Sequence, residues 1–281
     1  MLCTRRVAVL APLLSLWLTQ ISCSTGADKA KPGTPAFYWQ AARETHVTRD
    51  YLKTVEHLRR VIRTDNEFNL RAQPWRLIVA DGLTRTYMQL ADDFEMGAKA
   101  NADAPLPLLK TMASYRTTAE TRALEFAETF IMWKKTAKDP EILLDFPFPS
   151  VPSMETPLRQ KIQGGSLPGE GAMPALEQRL MSICVAESAA AAAGATGDVS
   201  KGRTLFQAGS AKVPRDVFAL AMATALYNQA QLFSRAKMNK SDRLHLFCTE
   251  GLDVLKSIPE TAESKKLTSE FEKLAKTVEM R

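Results

Sequence analysis

Apolar side chains recur at helical spacing along nearly the whole of this 281-residue chain, while alternating apolar and polar runs between turn signals are almost absent. A chain patterned this way buries its apolar surface as stripes along helices, so the class it predicts is all-α. From Tyr51, the positions Val55, Leu58, Val61 and Ile62 form one stripe, and Lys53, Glu56, Arg59, Arg60 and Arg63 face away from it. A second helix is predicted from about Pro74, a residue suited to a first turn, to about Ala100. Pro105 and Pro107 interrupt the pattern. A third helix then runs from Leu108 to about Lys138, roughly 45 Å at 1.5 Å per residue.

Seven prolines lie between Pro140 and Pro174, and Gly164, Gly165, Gly169 and Gly171 cluster late in the same stretch. No regular element persists easily through such a segment, which predicts a long irregular connection. Within it, Phe146-Pro147-Phe148-Pro149 sets two aromatics beside fixed prolines, either to pin the loop onto its own domain or as a peptide-like ligand for a partner. Residues 164–171 lack the lysine and hydroxyl residue of a phosphate loop and read as a flexible loop. The second half opens with a helix near Met173 that runs into the alanine tract Ala189 to Ala193 and stops at Gly194. Alanine favours helix and permits close approach, so the tract predicts tight packing. A second loop follows to Pro214. Helices from about Arg215 to Met238, Ser241 to Ser257 and Glu260 to Glu279 complete the chain. The organisation expected is an N-terminal helical half over 36–139, a connection over 140–173 and a C-terminal helical half over 174–281.

Ahead of this body, Arg5 and Arg6 precede an apolar run from Val7 to Leu18, about half the length a bilayer-spanning helix needs, which ends at Ile21-Ser22-Cys23. The segment resembles the signal of bacterial lipoproteins, in which a cysteine after small or aliphatic residues becomes the acylated new N-terminus. That resemblance implies an export signal over 1–22, lipidation at Cys23, a flexible tether over 23–35, and a protein anchored at the bacterial envelope facing the periplasm or exterior. Ordinary secretion, with cleavage near Cys23 or after Thr25-Gly26-Ala27, is the alternative. Thr4-Arg5-Arg6 also resembles the start of a twin-arginine export signal.

Residues 35–66 resemble a tetratricopeptide repeat, a helical hairpin of about 34 residues. Tyr38, Ala41 and Ala42 match the large-small-small positions of its first helix; Asp50-Tyr51 matches the turn and aromatic start of the second, and Val61-Ile62 with Thr64-Asp65 its close. Thr45 stands where an aromatic is usual, Thr54 where a small alanine is expected, and Asn66 in place of the terminating proline. The stretch from Asp242 to Ile258-Pro259 echoes a second helix, and Leu267, Phe271, Leu274 and Val278 suit a capping helix. The resemblance implies an irregular helical-hairpin array, a tetratricopeptide-like right-handed superhelix, acting as a non-catalytic scaffold that binds an envelope protein or peptide through Tyr38, Tyr51 and Arg59.

Residues for chemistry are harder to find. Of 37 basic and 31 acidic side chains only Arg5 and Arg6 leave with the leader, so the body carries a mixed surface that implies no nucleic acid. His46, His57 and His245 lack zinc-site spacing and read as solvated; Asp92, Asp93 and Glu95 read as a solvated helix face. No nucleophile elbow, metal-spaced cysteines or isolated carboxylate pair stands out, so no catalytic residue, metal or cofactor is expected. Cys184 and Cys248 fall on apolar faces, either as two buried small hydrophobes or as a disulfide. The rival to a scaffold is a small-ligand binder or enzyme with a helical pocket lined by Trp75, Tyr87, Tyr115 and Trp133. A continuous exposed groove favours the scaffold, and a cavity with converging polar groups favours the ligand binder.

Overall fold

The computed structural model describes residues 30–153, 157–234 and 240–279. The expected export signal over 1–22, Cys23 and the expected tether up to residue 29 lie outside them. The first hairpin is built by its caps. Thr34 accepts from the Phe37 N–H ahead of α1 (Pro35–Val47), and Asp50 accepts from the Lys53 N–H at 3.1 Å ahead of α2 (Tyr51–Val61). The two threonines that depart from the repeat pattern meet across this hairpin, Thr54 Oγ1 donating to Thr45 Oγ1 at 3.1 Å. Asn66 replaces a terminating proline with hydrogen bonds. Its Nδ2 donates to the Val61 and Thr64 carbonyls and its Oδ1 accepts from the Phe68 N–H. That turn lets α3 (Asn69–Ala100) begin one turn earlier than expected, with Pro74 inside the helix rather than at its start.

α3 is the axis of the molecule. Every residue from Ala72 to Thr84 is buried, which a helix tolerates only when packed on all sides. It runs against α4 (Leu106–Thr136) along its length and also meets α2, α5 (Pro157–Gln163) and α6 (Ala172–Ala192). α7 (Val199–Leu205) lies on α6, and α8 (Arg215–Ser234), α9 (Ser241–Lys256) and α10 (Ala262–Glu279) pack in succession. The result is an all-α array of irregular hairpins in which α3 and α4, at 32 and 31 residues, each nearly fill the length of a whole 34-residue repeat. One hydrophobic core joins Trp75, Phe126, Val185, Phe218 and Phe247. No described helix is long and apolar enough to cross a membrane.

The stretches expected to be irregular contain regular structure. β1 (Glu141–Leu144) and β2 (Ala211–Pro214) pair antiparallel, with Ile142 opposite Val213 and Leu144 opposite Ala211, and α5 and α7 add one short helix each. Four-residue strands carry too little alternation to be read locally, and these two form only by pairing with each other. Asp93, expected on a solvated face, is buried instead: Arg159 of α5 donates to its two oxygens at 2.7 and 3.0 Å.

His46 is likewise no surface residue. It is 3% exposed, its Nδ1 accepts from the Trp75 indole N–H at 3.3 Å, and its Nε2 lies 2.9 Å from the Pro147 carbonyl. An imidazole that accepts at one nitrogen and donates at the other is neutral and fixed in one tautomer. Phe146 stacks on Trp75 at 5.3 Å and Phe148 meets Phe206 edge-on, so the Phe-Pro-Phe-Pro segment is pinned onto its own domain. Burial, helped by the Arg43 charge and opposed by the Pro147 carbonyl, lowers the His46 pKa to about 4.

Backbone contact sets the α3–α6 spacing. A Cβ on Gly82 would lie 2.6 Å from Val185 Cα and 2.7 Å from its N, so no side chain fits between the helices. Gly202 of α7 stands in the same relation to Ala190, so the alanine tract is used for close packing against α7. Gly82→Ala should therefore lower the unfolding free energy by about 2 kcal/mol in urea titrations followed by circular dichroism, outweighing the helix propensity that alanine adds. A gain in stability would show that the helices stand farther apart. For His46, the unfolded chain binds a proton between pH 6.5 and 4 that the folded one refuses, so its contribution is whole above about pH 6.5 and drains as pH falls toward 4. That loss amounts to about 3 kcal/mol, and His46→Gln should flatten this part of the stability–pH curve.

Candidate functional site

Asp81 and Arg85 are four residues apart on α3 and so share a face, which points toward α6 and α8. Asp81 is 6% exposed; its Oδ2 accepts from Ser188 Oγ of α6 at 2.6 Å and its Oδ1 from Gln229 Nε2 of α8 at 3.0 Å. One carboxylate thus ties three helices together, and two donors aimed at it suit its ionised form. Arg85 donates through Nη2 to Glu187 of α6. Burial works against the guanidinium, but the Asp81 carboxylate, Cys184 and Glu187 outweigh it and raise its pKa further.

These groups stand at one side of a cleft of about 570 Å³ between α3, α6 and α8. Its opposite wall is a stripe of α8, Val217, Leu220, Ala221, Thr224 and Ala225, at the i, i+3, i+4, i+7 and i+8 positions of one helix face. Gly194, Thr196 and Gly197 of the α6–α7 turn close one end, and the exposed Glu263 of α10 stands at the mouth. Gln229 is completely buried, and its Oε1 has no hydrogen-bond partner in the protein. Cys184 lies behind the site, taking a long contact from Gln89 Nε2 at 3.6 Å; burial pushes its thiol up to about 11, so it stays protonated.

The residues singled out from the sequence are placed otherwise. Tyr51 is 1% exposed and lies edge-on to His46, so it belongs to the core and presents no surface to a partner; as the first residue of α2 it is drawn under the hairpin turn. Tyr38 is half-buried, stacked on His57 and 5.4 Å from the Arg60 guanidinium. Arg59 is engaged by Glu56 through two hydrogen bonds of 2.8 and 2.9 Å. Tyr38 and Arg59 therefore remain on the first hairpin while Tyr51 leaves their surface. Cys184 and Cys248 are free buried thiols, the first on α6 against α3 and the second on α9. A disulfide between them is not formed. The proposed aromatic pocket is not assembled either. Trp75 stacks with Phe146, Trp133 meets Phe218 at a tilt, and Tyr87 stacks with Tyr115, whose hydroxyl donates to Glu177 at 2.6 Å. Trp75 and Trp133 are closed into the core as these separate ring contacts.

The cleft's polar residues escaped sequence reading because they are spread over three helices, in each of which they resemble ordinary polar interruptions. The one available signal was Asp81, a charge inside the otherwise apolar run from Leu77 to Leu83. Among the described residues, no group of three or more histidine, cysteine, aspartate or glutamate side chains is placed to hold a metal ion. Comparison with known protein families, with curated proteins and with solved structures finds no match to this chain.

Proposed function

We propose that the protein is a non-catalytic binding protein of the bacterial envelope, exported by residues 1–22, tethered through Cys23, and holding a small molecule in the α3–α6–α8 cleft. The observation that carries the binding role is the convergence of Asp81, Arg85, Glu187 and Asn228 on a cavity of about 570 Å³. That volume falls in the range of small-molecule sites, which pair apolar walls with a few fixed polar groups. A peptide scaffold is the less favoured reading, because the hairpin's leading aromatic, Tyr51, is interior and Arg59 is already engaged by Glu56. Support for export and anchoring comes from Arg5, Arg6, the Val7–Leu18 run and Cys23 in the sequence.

The binding role is tested on full-length protein in detergent, with a panel of amines, carboxylic acids, amino acids and nucleosides followed by thermal unfolding. A ligand at a hundred times its Kd adds about 2.7 kcal/mol, a shift of several degrees in a chain of this size. At least one compound should produce such a shift in the wild type and none in Ala221→Trp, whose indole would occupy the cleft; equal shifts in both, or none in either, would refute the assignment. Anchoring is tested by metabolic labelling with palmitate. Label and membrane partition should both disappear in Cys23→Ser, and an unlabelled wild type would rule the lipid out.

A further inference from the structure

We infer that the contact of His46 with Trp75 and Pro147 is an acid-released latch: while the imidazole is neutral it holds the segment after β1 against α3 and α7, and one added proton opens it. An indole N–H can only donate, so Nδ1 accepts from Trp75 at 3.3 Å and Nε2 donates to the Pro147 carbonyl at 2.9 Å, which leaves neither ring nitrogen free. A proton can enter only at Nδ1, on the lone pair that the indole uses, and it then sets N–H against N–H. Both rings are buried, so water cannot relieve that conflict unless their cover moves. Around the imidazole stand Arg43 of its own helix, Tyr51 of α2 and, in the segment, Asp145, whose carboxylate is taken by Arg43 at 3.2 Å and by Arg71 of α3 at 3.0 Å. Among the described residues no carboxylate meets either ring nitrogen, so an imidazolium here would sit beside a guanidinium without a counter-ion of its own.

The cover is the part that gives way. Residues 145–153 form neither helix nor strand, Pro147 and Pro149 have no N–H, and the bond from His46 is the one hydrogen bond that a described residue makes to residues 146–149. The rest of their hold is ring contact: Phe146 stacks on Trp75 at 5.3 Å and meets Phe206 at the same distance, Phe148 meets Phe206 at 5.2 Å, and the Arg203 guanidinium stands 5.9 Å from Phe148. Arg203 belongs to α7 and Phe206 caps it, while Gly202 of the same helix faces Ala190 of α6 on one side and the Phe148 ring on the other. A helix of seven residues is marginal without packing, so lifting the segment uncovers α7 and loosens it. The turn that leads into α7, with Gly194 and Gly197, closes one end of the α3–α6–α8 cleft, and the latch stands whether or not that cleft holds a ligand.

The test follows hydrogen exchange of two indole N–H groups by NMR on full-length protein in detergent. Trp75 reports the latch, and Trp133, packed against Phe218 elsewhere in the core, reports opening of the whole fold. Burial holds the pKa of folded His46 at about 4, against 6.5 for a released imidazole, so acid favours the open form, by about 60-fold between pH 7 and pH 4.5. Over that interval the exchange rate of Trp75 relative to Trp133 should rise at least tenfold, and amide protection in α7 should fall with it. In His46→Gln, whose side chain takes up no proton, the relative rate should stay level. A level relative rate in the wild type, whether both indoles stay slow or both accelerate together, would overturn the latch, and so would the wild-type rise recurring in His46→Gln. Should the glutamine variant fail to fold by circular dichroism, nitrogen-15-labelled histidine in the wild type decides instead: His46 Nδ1 should gain its proton over the same pH range as Trp75 exchange rises, and a rise without that protonation would overturn the assignment.

Discussion

The contact of α3 and α6 at Gly82 and Val185 brings two helices together with no side chain between them, and the cleft depends on it. Asp81 directly precedes the glycine and Ser188 stands one turn after the valine, so close approach at one point delivers a carboxylate to a hydroxyl at 2.6 Å. Gln229 then reaches the same carboxylate from α8. A buried charge is costly unless its hydrogen bonds are met, and here they are met by residues from two other helices. Packing and polar chemistry are consequently one feature: the helices cannot separate without stranding Asp81, and Asp81 cannot be satisfied unless they touch.

Two buried polar centres on α3 differ in a way that bears on function. At Trp75, the His46 imidazole accepts at one nitrogen and faces the Pro147 carbonyl with the other, so its capacity is fully used inside the protein. It holds the first hairpin to the segment after β1, where Asp145 also pairs with Arg43 and Arg71. Asp81 is held by donors from two other helices but also lines the cleft, where the acidic side chains Asp81, Glu187 and Glu263 outnumber the one base, Arg85. Saturation marks the first centre as structural. The second differs in standing at the wall of a cavity.

Legibility in the sequence followed the range of the interactions. The Tyr51 to Ile62 stripe, the long third helix and the alanine tract were readable because helical periodicity is a local property. The β1–β2 pair was not, because each strand is four residues long and its partner lies some 70 residues away. His46 and Asp93 look like surface residues in their own helices and are buried only because the 145–148 segment and α5 fold over them. Tyr51 shows the opposite error: an aromatic at a repeat's turn suggested an exposed contact, yet the same hairpin geometry that makes it recognisable draws it inward. Thr45 and Thr54 read as separate departures from the repeat and are in fact each other's partners.

By itself the amino-acid order determined the helical class and the approximate extent of most helices, because apolar spacing, prolines and caps act over a few residues. Only the tertiary structure decided which polar residues matter. Asp81, Arg85, Glu187, Ser188 and Gln229 come from three helices, and neither their burial nor their pairing exists until those helices pack. Desolvation and hydrogen-bond balance are properties of an assembled interior, so a chain read one helix at a time contains no trace of them.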